Sequence, residues 1–301
     1  MGSASVESHI ANYPKARRSG FLRCLTETRG QTTATTAKVF CNVASYSFVR
    51  AIGQRNPPGL GWHSSPRHWY RFPFSLRGEV LWSPQLAAWF CPENEASIEL
   101  MLHEADYEPV EWVELNKGDV FLDIGAFVGW HSIRAARIVG PAGRVISLEP
   151  DETNRRQLER NLALNDVANC TIVPLAAWSK SGVDLGWFTE KSPDCCRVEE
   201  NQAASGIKTI TVDDLVANLQ LERLNWIKMD IEGGEVKALR GVEKTLSELR
   251  PSMFVEVHDT VEPVKELFNR FGYSIEREAY DRSPVPHGWY VARPLSRENG
   301  K

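Results

Sequence analysis

Near residue 119 the chain settles into short apolar runs that alternate with segments of helical period. Val120-Phe121-Leu122-Asp123-Ile124 is a strand-length run, and residues 130–139 carry Ile133, Ala136 and Arg137 at helical spacing. Gly140-Pro141-Ala142-Gly143 stops that helix. The rhythm then predicts a strand over 144–148, a helix over 153–164 and a strand over 170–175. Residues 183–188 and 207–212 read as two strands around a polar loop, a hairpin insertion. A short helix over 213–219, a strand over 226–229 and one long amphipathic helix over 235–249 come next. A strand over 253–257, a helix over 261–271 and late strands over 273–278 and 289–292 close the pattern.

Near-continuous apolar strands that alternate with helices predict an α/β fold, a mostly parallel sheet covered on both faces. Ligands of such sheets sit at the carboxyl ends of the strands, where the strand order reverses. Asp123, Glu149, Asp230 and His258 all fall at predicted carboxyl ends, so one edge gathers the titratable groups. The turn cluster Asn116-Lys117-Gly118-Asp119 leads into this region.

Upstream, the pattern weakens. Residues 1–36 are rich in Ser, Thr, Ala, Arg and Gly and are expected to form a flexible basic tail. Residues 37–103 are expected to form a helical, aromatic-rich cover, and 104–301 the sheet domain. Residues 37–52 suit one short helix. Trp62, Trp69, Tyr70, Phe72, Phe74, Trp82, Trp89 and Phe90 crowd one segment, as core, as a cofactor lid or as an acceptor platform.

Composition narrows the classes. An apolar fraction of 42 % and a charged fraction of 25 % are those of an ordinary globular chain, not a disordered one. No apolar run is long enough for a transmembrane helix. A net charge of −4 argues against a nucleic-acid partner. The first 60 residues hold eight Lys or Arg against Glu7 and Glu27, so a basic head precedes an acidic body. The six cysteines form no C-x-x-C pair and no zinc spacing. With no leader pattern at the head, reduced thiols and a cytoplasmic setting are expected.

The chemistry concentrates in Asp123-Ile124-Gly125-Ala126-Phe127-Val128-Gly129. Gly125 permits a tight turn, and Gly129 lets the helix start lie close to the sheet and a ligand. No third glycine follows, so the pyrophosphate cradle of a nicotinamide dehydrogenase is incomplete. Glu149 ends the second strand, where an acid accepts hydrogen bonds from ribose hydroxyls. An adenosine ligand without phosphate suits this set, and S-adenosylmethionine is such a ligand.

These residues resemble the FkbM family of class I methyltransferases, whose members typically read D-x-G-A-N-x-G, E-P, (V/T)-x-D-D-L and K-x-D-x-E-G-x-E. The chain offers Asp123-Ile124-Gly125-Ala126, Glu149-Pro150, Val212-Asp213-Asp214-Leu215 and Lys228-Met229-Asp230-Ile231-Glu232-Gly233-Gly234-Glu235. Arg250-Pro251 and Glu256-Val257-His258 follow in the same order, so the resemblance spans about residues 104–275. Phe127 stands where the family usually has Asn, which puts a ring in place of an amide. The resemblance implies a Rossmann-like sheet of seven strands, one antiparallel, with an N-terminal extension and a β-hairpin insertion. It also implies methyl transfer from S-adenosylmethionine to an oxygen, commonly a sugar or natural-product hydroxyl.

On that basis Tyr107, Glu108, Asp123, Gly125, Ala126, Phe127, Gly129, Trp130, His131, Glu149, Pro150, Ala176 and Ala177 are the expected cofactor contacts. Asp230, Glu232 and His258 are the expected catalytic groups. His258 has an unperturbed pKa suited to base work, and Asp230 is the alternative base, or a partner of the sulfonium charge or of His258. Glu235 reads either as part of this cluster or as a first-turn acid favoured by a helix dipole. Asp230, Glu256 and His258 have metal-binding chemistry, but three residues alone do not make a site and no metal is assigned. The expected partner is a small-molecule or glycan hydroxyl acceptor, and a homodimer is possible on the aromatic segment or the late strands. The competing classes are a non-catalytic Rossmann-like module that binds nucleoside or protein, and a nicotinamide oxidoreductase.

Overall fold

The computed structural model describes residues 29–53, 74–83, 86–94, 97–98, 110–189, 196–199, 206–258, 260–280 and 287–296. The chain divides into two compact units, residues 1–108 and 109–301. In the first, β1 (Arg29–Gly30), β2 (Leu81–Ser83) and β3 (Ala88–Phe90) form a small antiparallel sheet in that order, and α1 (Thr33–Gly53) follows β1. Residues 29–36, assigned from composition to a flexible tail, are the strand and first turn of this unit. The Thr32 hydroxyl accepts the Thr35 N–H at 3.1 Å at the start of α1, and Glu79 accepts from Lys38 and Thr35. A Ser/Thr-rich stretch that composition alone marks as loose is here a set of caps. Trp62, Trp69, Tyr70 and Phe72 lie outside the described residues. Among those described, Phe90 is buried, Trp82 and Trp89 meet edge to face, and Phe74 is exposed.

The second unit is built on a seven-stranded sheet. Its strands are β4 (Val120–Ile124), β5 (Arg144–Leu148), β6 (Cys170–Val173), β11 (Trp226–Met229), β12 (Ser252–His258), β13 (Tyr273–Tyr280) and β14 (His287–Pro294). They lie in the order β13-β14-β12-β11-β4-β5-β6, and β14 alone runs antiparallel to both neighbours. This is the expected sheet. All five residues of β4 and all four of β11 are buried, as near-continuous apolar runs in a sheet covered on both faces require, and Asp123 and Lys228 are buried with them. The order reverses between β4 and β11, which places the ligand crevice at their carboxyl ends. The core on one face joins Leu122, Ile124, Ile227, Met229, Val255 and Val257 to residues of α4 (Val212–Asn218), α5 (Glu235–Leu239), α6 (Glu243–Glu248) and α7 (Val261–Arg270). The other two helices are α2 (Trp130–Val139) and α3 (Glu152–Leu164), and Asp151 caps α3 by accepting the Asn154 N–H at 2.8 Å.

The strands expected over 183–188 and 207–212 are present as β8 (Asp184–Thr189) and β10 (Ile207–Ile210), antiparallel neighbours in a second sheet of order β7-β10-β8-β9, to which β7 (Ala176–Ala177) and, from the stretch between them, β9 (Cys196–Glu199) are added. Two elements differ from expectation. The strand expected over 170–175 is divided at Pro174, which has no N–H for the ladder, and β7 joins the second sheet. The helix expected over 235–249 is two helices, α5 and α6. At Gly241 a Cβ would lie 2.2 Å from the Trp178 carbonyl oxygen, and the Gly241 carbonyl accepts the Asp213 N–H at 3.0 Å. Only glycine fits so close to the Trp178 carbonyl, and the Gly241 carbonyl is turned to a neighbouring element between the two helices.

Candidate active site

The turn after β4 is drawn against the end of β5. Gly125 and Ala126 each donate an N–H to the Leu148 carbonyl at 3.0 Å. Gly125 has φ +77°, and a Cβ there would lie 1.9 Å from the Asp230 carbonyl oxygen, so only glycine fits. Phe127 has φ +48°, a left-handed conformation that costs a non-glycine residue about 1–2 kcal/mol. Asn tolerates that conformation better than Phe, which gives the family's preference at this position a backbone reason. Gly129, at φ +93°, opens α2 against Leu158.

Glu149 is buried at the end of β5. One carboxylate oxygen accepts the Phe127 N–H at 2.8 Å, and the other accepts the Asp151 N–H at 2.9 Å. Burial pushes its pKa up to about 7, against these two hydrogen bonds. Oε1 also accepts the Asn154 side-chain amide at 3.5 Å, and Oε2 retains acceptor capacity. Ala126, Trp130 and His131 are buried in and just after the turn, Pro150 is half-buried, and Ala176 and Ala177 are buried in β7 of the second sheet. Tyr107 and Glu108 lie outside the described residues.

Asp123 is fully buried. It accepts the Ser132 hydroxyl at 2.6 Å, and its other oxygen faces the Lys228 ammonium at 3.6 Å. Register explains the meeting, because Asp123 and Lys228 are partners across β4 and β11. Lys228 donates to the Gly125 carbonyl at 2.9 Å and stands 3.7 Å from Asp230. A single buried ammonium therefore ties the glycine turn to the acid at the end of β11. Asp230 adds a main-chain tie, donating its N–H to Ile124 at 3.1 Å. Burial raises the Asp230 pKa, but the nearby Lys228, His258 and His131 outweigh it and hold the carboxyl below its usual value.

The expected catalytic residues meet beside this tie. Donor atoms of Asp230, Glu232 and His258 fall within 4.8 Å of one another. His258 ends β12, and strand alternation puts Glu256 on the same side. The ring Nε2 lies 3.7 Å from Glu232 and 3.8 Å from Glu256, and Nδ1 lies 3.4 Å from Glu235. Burial and the Asp230 charge push Glu232 up to about 7, against the opposing pull of His258. His258 itself is pushed up to about 10: burial opposes its charge, but Glu235, Asp230, Glu232 and Glu256 outweigh burial. At neutral pH the ring is thus a cation among acids, and Glu232 is the group near its midpoint. Sequence assigns no role to Lys228 and weighs Glu256 only with Asp230 and His258, as a group of metal-binding chemistry. The strand pairing places Lys228 opposite Asp123, and only alternation along β12 hinted at Glu256.

A parallel sheet with one antiparallel strand, a glycine turn without a phosphate cradle and an acid at the next strand end define a Rossmann-like fold of the class I methyltransferase type. The Methyltransferase FkbM domain matches residues 123–275 of this chain, and the chain belongs to the FkbM methyltransferase family. The chain is 30 % identical over 170 residues to the hexuronic acid methyltransferase AglP of Haloferax volcanii. That match takes in 55 % of this chain and 63 % of the relative, so the chain spans less than two thirds of that relative's length. Among solved structures, a methyltransferase FkbM from Methylobacillus flagellatus is 18 % identical, over 66 % of this chain and 55 % of the other, at a TM-score of 0.40. A fibrillarin of Aeropyrum pernix, solved with S-adenosylmethionine, is 17 % identical over 60 % of this chain and 69 % of that one, also at 0.40.

S-adenosylmethionine is the cofactor that membership of a methyltransferase family of this fold implies, and this chain's turn fits it. Glu149 Oε2 holds one main-chain N–H and keeps a lone pair for a ribose hydroxyl, while Oε1 accepts from the Asp151 N–H and, at 3.5 Å, from the Asn154 amide. The turn offers no third glycine for a pyrophosphate.

Proposed function

We propose that this chain transfers a methyl group from S-adenosylmethionine to a hydroxyl oxygen of a sugar or sugar-like acceptor. The observation that carries this reading is the edge itself. The glycine turn with Glu149 and the Asp230–Glu232–His258 cluster stand at adjacent strand ends, joined through Lys228. The match to a hexuronic acid methyltransferase supports a sugar acceptor. The half-exposed acids beside the cofactor turn support oxygen as the atom that is methylated, because a hydroxyl must lose its proton as it attacks.

S-adenosylmethionine supplies an electrophilic methyl group on a sulfonium. Gly125, Ala126, Phe127, Gly129, Trp130, His131, Glu149, Pro150, Ala176 and Ala177 hold and frame it, and Tyr107 and Glu108 belong to the same expected set. Asp123 acts one step removed, through Ser132 and Lys228. Glu232 takes the acceptor's proton, because its midpoint near neutrality suits proton transfer in both directions. Asp230 stays ionised beside Lys228 and His258 and orients the attacking hydroxyl. Alignment of oxygen and methyl supplies most of the rate.

The test is mass spectrometry of hexuronate-containing and neutral oligosaccharides after incubation with the full chain and S-adenosylmethionine. A product heavier by one methyl, in place of a hydroxyl hydrogen, is expected. Glu232→Gln is expected to lower turnover by about 10²–10⁴-fold while binding of S-adenosylhomocysteine persists. Methyl transfer to nitrogen, or full turnover in the variant, contradicts the assignment.

A further inference from the structure

Glu235 opens α5, yet its side chain does more than meet a helix dipole. It is fully buried. One oxygen accepts the Gly233 N–H at 2.9 Å and faces His258 Nδ1 at 3.4 Å. The other accepts the Thr260 hydroxyl at 3.2 Å. A buried carboxylate needs hydrogen bonds and an opposite charge to be tolerated. The neutral donors come from Gly233 and Thr260, and the opposite charge can come from His258. The carboxylate thus joins the turn after β11, the end of β12 and the start of α7.

The other charged groups facing the ring are also acids. Glu232 and Asp230 come from the turn after β11, and Glu256 comes from β12 itself. The Lys228 ammonium lies 3.7 Å from Asp230 and 3.6 Å from Asp123. With Nδ1 turned toward Glu235, the ring presents Nε2 to Glu232 and Glu256.

We propose that Glu235 is the positioning residue of this edge: it fixes the His258 ring through Nδ1 and keeps it a cation, which aims Nε2–H at Glu232 and leaves Glu232 to take the proton. The proton-transfer half of this rests on the methyl-transfer reading, whereas the ring's charge and orientation do not. The raised His258 midpoint near 10 agrees with the geometry. A raised imidazole pKa keeps the ring charged through neutral pH and releases its proton only as pH rises through that midpoint.

The experiment is nitrogen-15 NMR of the imidazole side chains of the full chain, titrated from neutral to alkaline pH, with the His258 signal assigned by its loss in His258→Gln. In the natural chain both ring nitrogens should stay protonated well above neutrality. Glu235→Gln keeps the shape and removes the charge, and should lower the proton affinity of His258 by about tenfold or more. A natural chain whose His258 titrates near the unperturbed value of about 6.5 overturns the proposal, and this reading holds even if the variant fails to fold. A folded Glu235→Gln chain with an unmoved midpoint overturns it as well. Calorimetry with S-adenosylhomocysteine separates the two readings: its failure to bind beside a high His258 midpoint removes the methyl-transfer reading and leaves the role of Glu235 standing.

Discussion

Glu149 shows how much of this site is decided by the surroundings of one side chain. Its carboxyl is buried, so it protonates near 7 instead of near 4.5. The sign follows from where the proton sits. The folded-state pKa lies above the unfolded value, so this group favours the fold fully below about 4.5 and loses that contribution as pH rises through about 7. Ligand binding runs the other way. Ribose hydroxyls donate to the ionised carboxylate and stabilise it, so S-adenosylhomocysteine should bind more tightly as pH rises through about 7. Calorimetry across that range should show the slope, and Glu149→Gln should flatten it; a flat profile in the natural chain contradicts the role of Glu149. The acid itself was legible from its place after a strand-length run. Its midpoint was not, because it depends on packing around residues far apart in sequence. The same holds for His258, which sequence alone offers as a base and the surrounding acids turn into a cation.

At the scale of elements, the legible parts are those fixed by local pattern. The β4-turn-α2-β5 unit follows from apolar runs, two glycines and a Gly-Pro stop. The parts misread are those set by a neighbour. Apolar periodicity runs on through Gly241, where the backbone packs against the Trp178 carbonyl and accepts the Asp213 N–H between α5 and α6. Likewise β1 is two residues long and exists through its pairing with β2. The glycines separate local from neighbour effects in a testable way. At Gly140 a Cβ meets nothing within 4 Å, so Gly140→Ala carries only the backbone strain of its φ +66°, ψ −171° conformation, about 1–3 kcal/mol. At Gly125 a Cβ would also meet the Asp230 carbonyl at 1.9 Å. Gly125→Ala should therefore lose S-adenosylhomocysteine binding and more stability than Gly140→Ala, read by calorimetry and urea unfolding. Equal losses in the two variants would mean that the β4 and β11 turns are not locked together.

The whole molecule separates by role. The seven-stranded sheet and the described site residues lie within residues 109–301. The first unit carries its own small sheet and α1. Among the described residues, no helix is long and apolar enough to cross a membrane. Most of the first 60 residues' positive charge is thus remote in sequence from the cofactor turn. A chain lacking residues 1–28 should bind S-adenosylhomocysteine within about twofold of the full chain, a difference well below the 1.4 kcal/mol of a tenfold change. The central claim is that the edge between β4 and β11 is an S-adenosylmethionine site. Calorimetry of the full chain with S-adenosylhomocysteine, set beside a nicotinamide dinucleotide, tests it most directly. The account predicts saturable binding of S-adenosylhomocysteine that Glu149→Ala abolishes, and none of the dinucleotide; dinucleotide binding with no response to S-adenosylhomocysteine would contradict it.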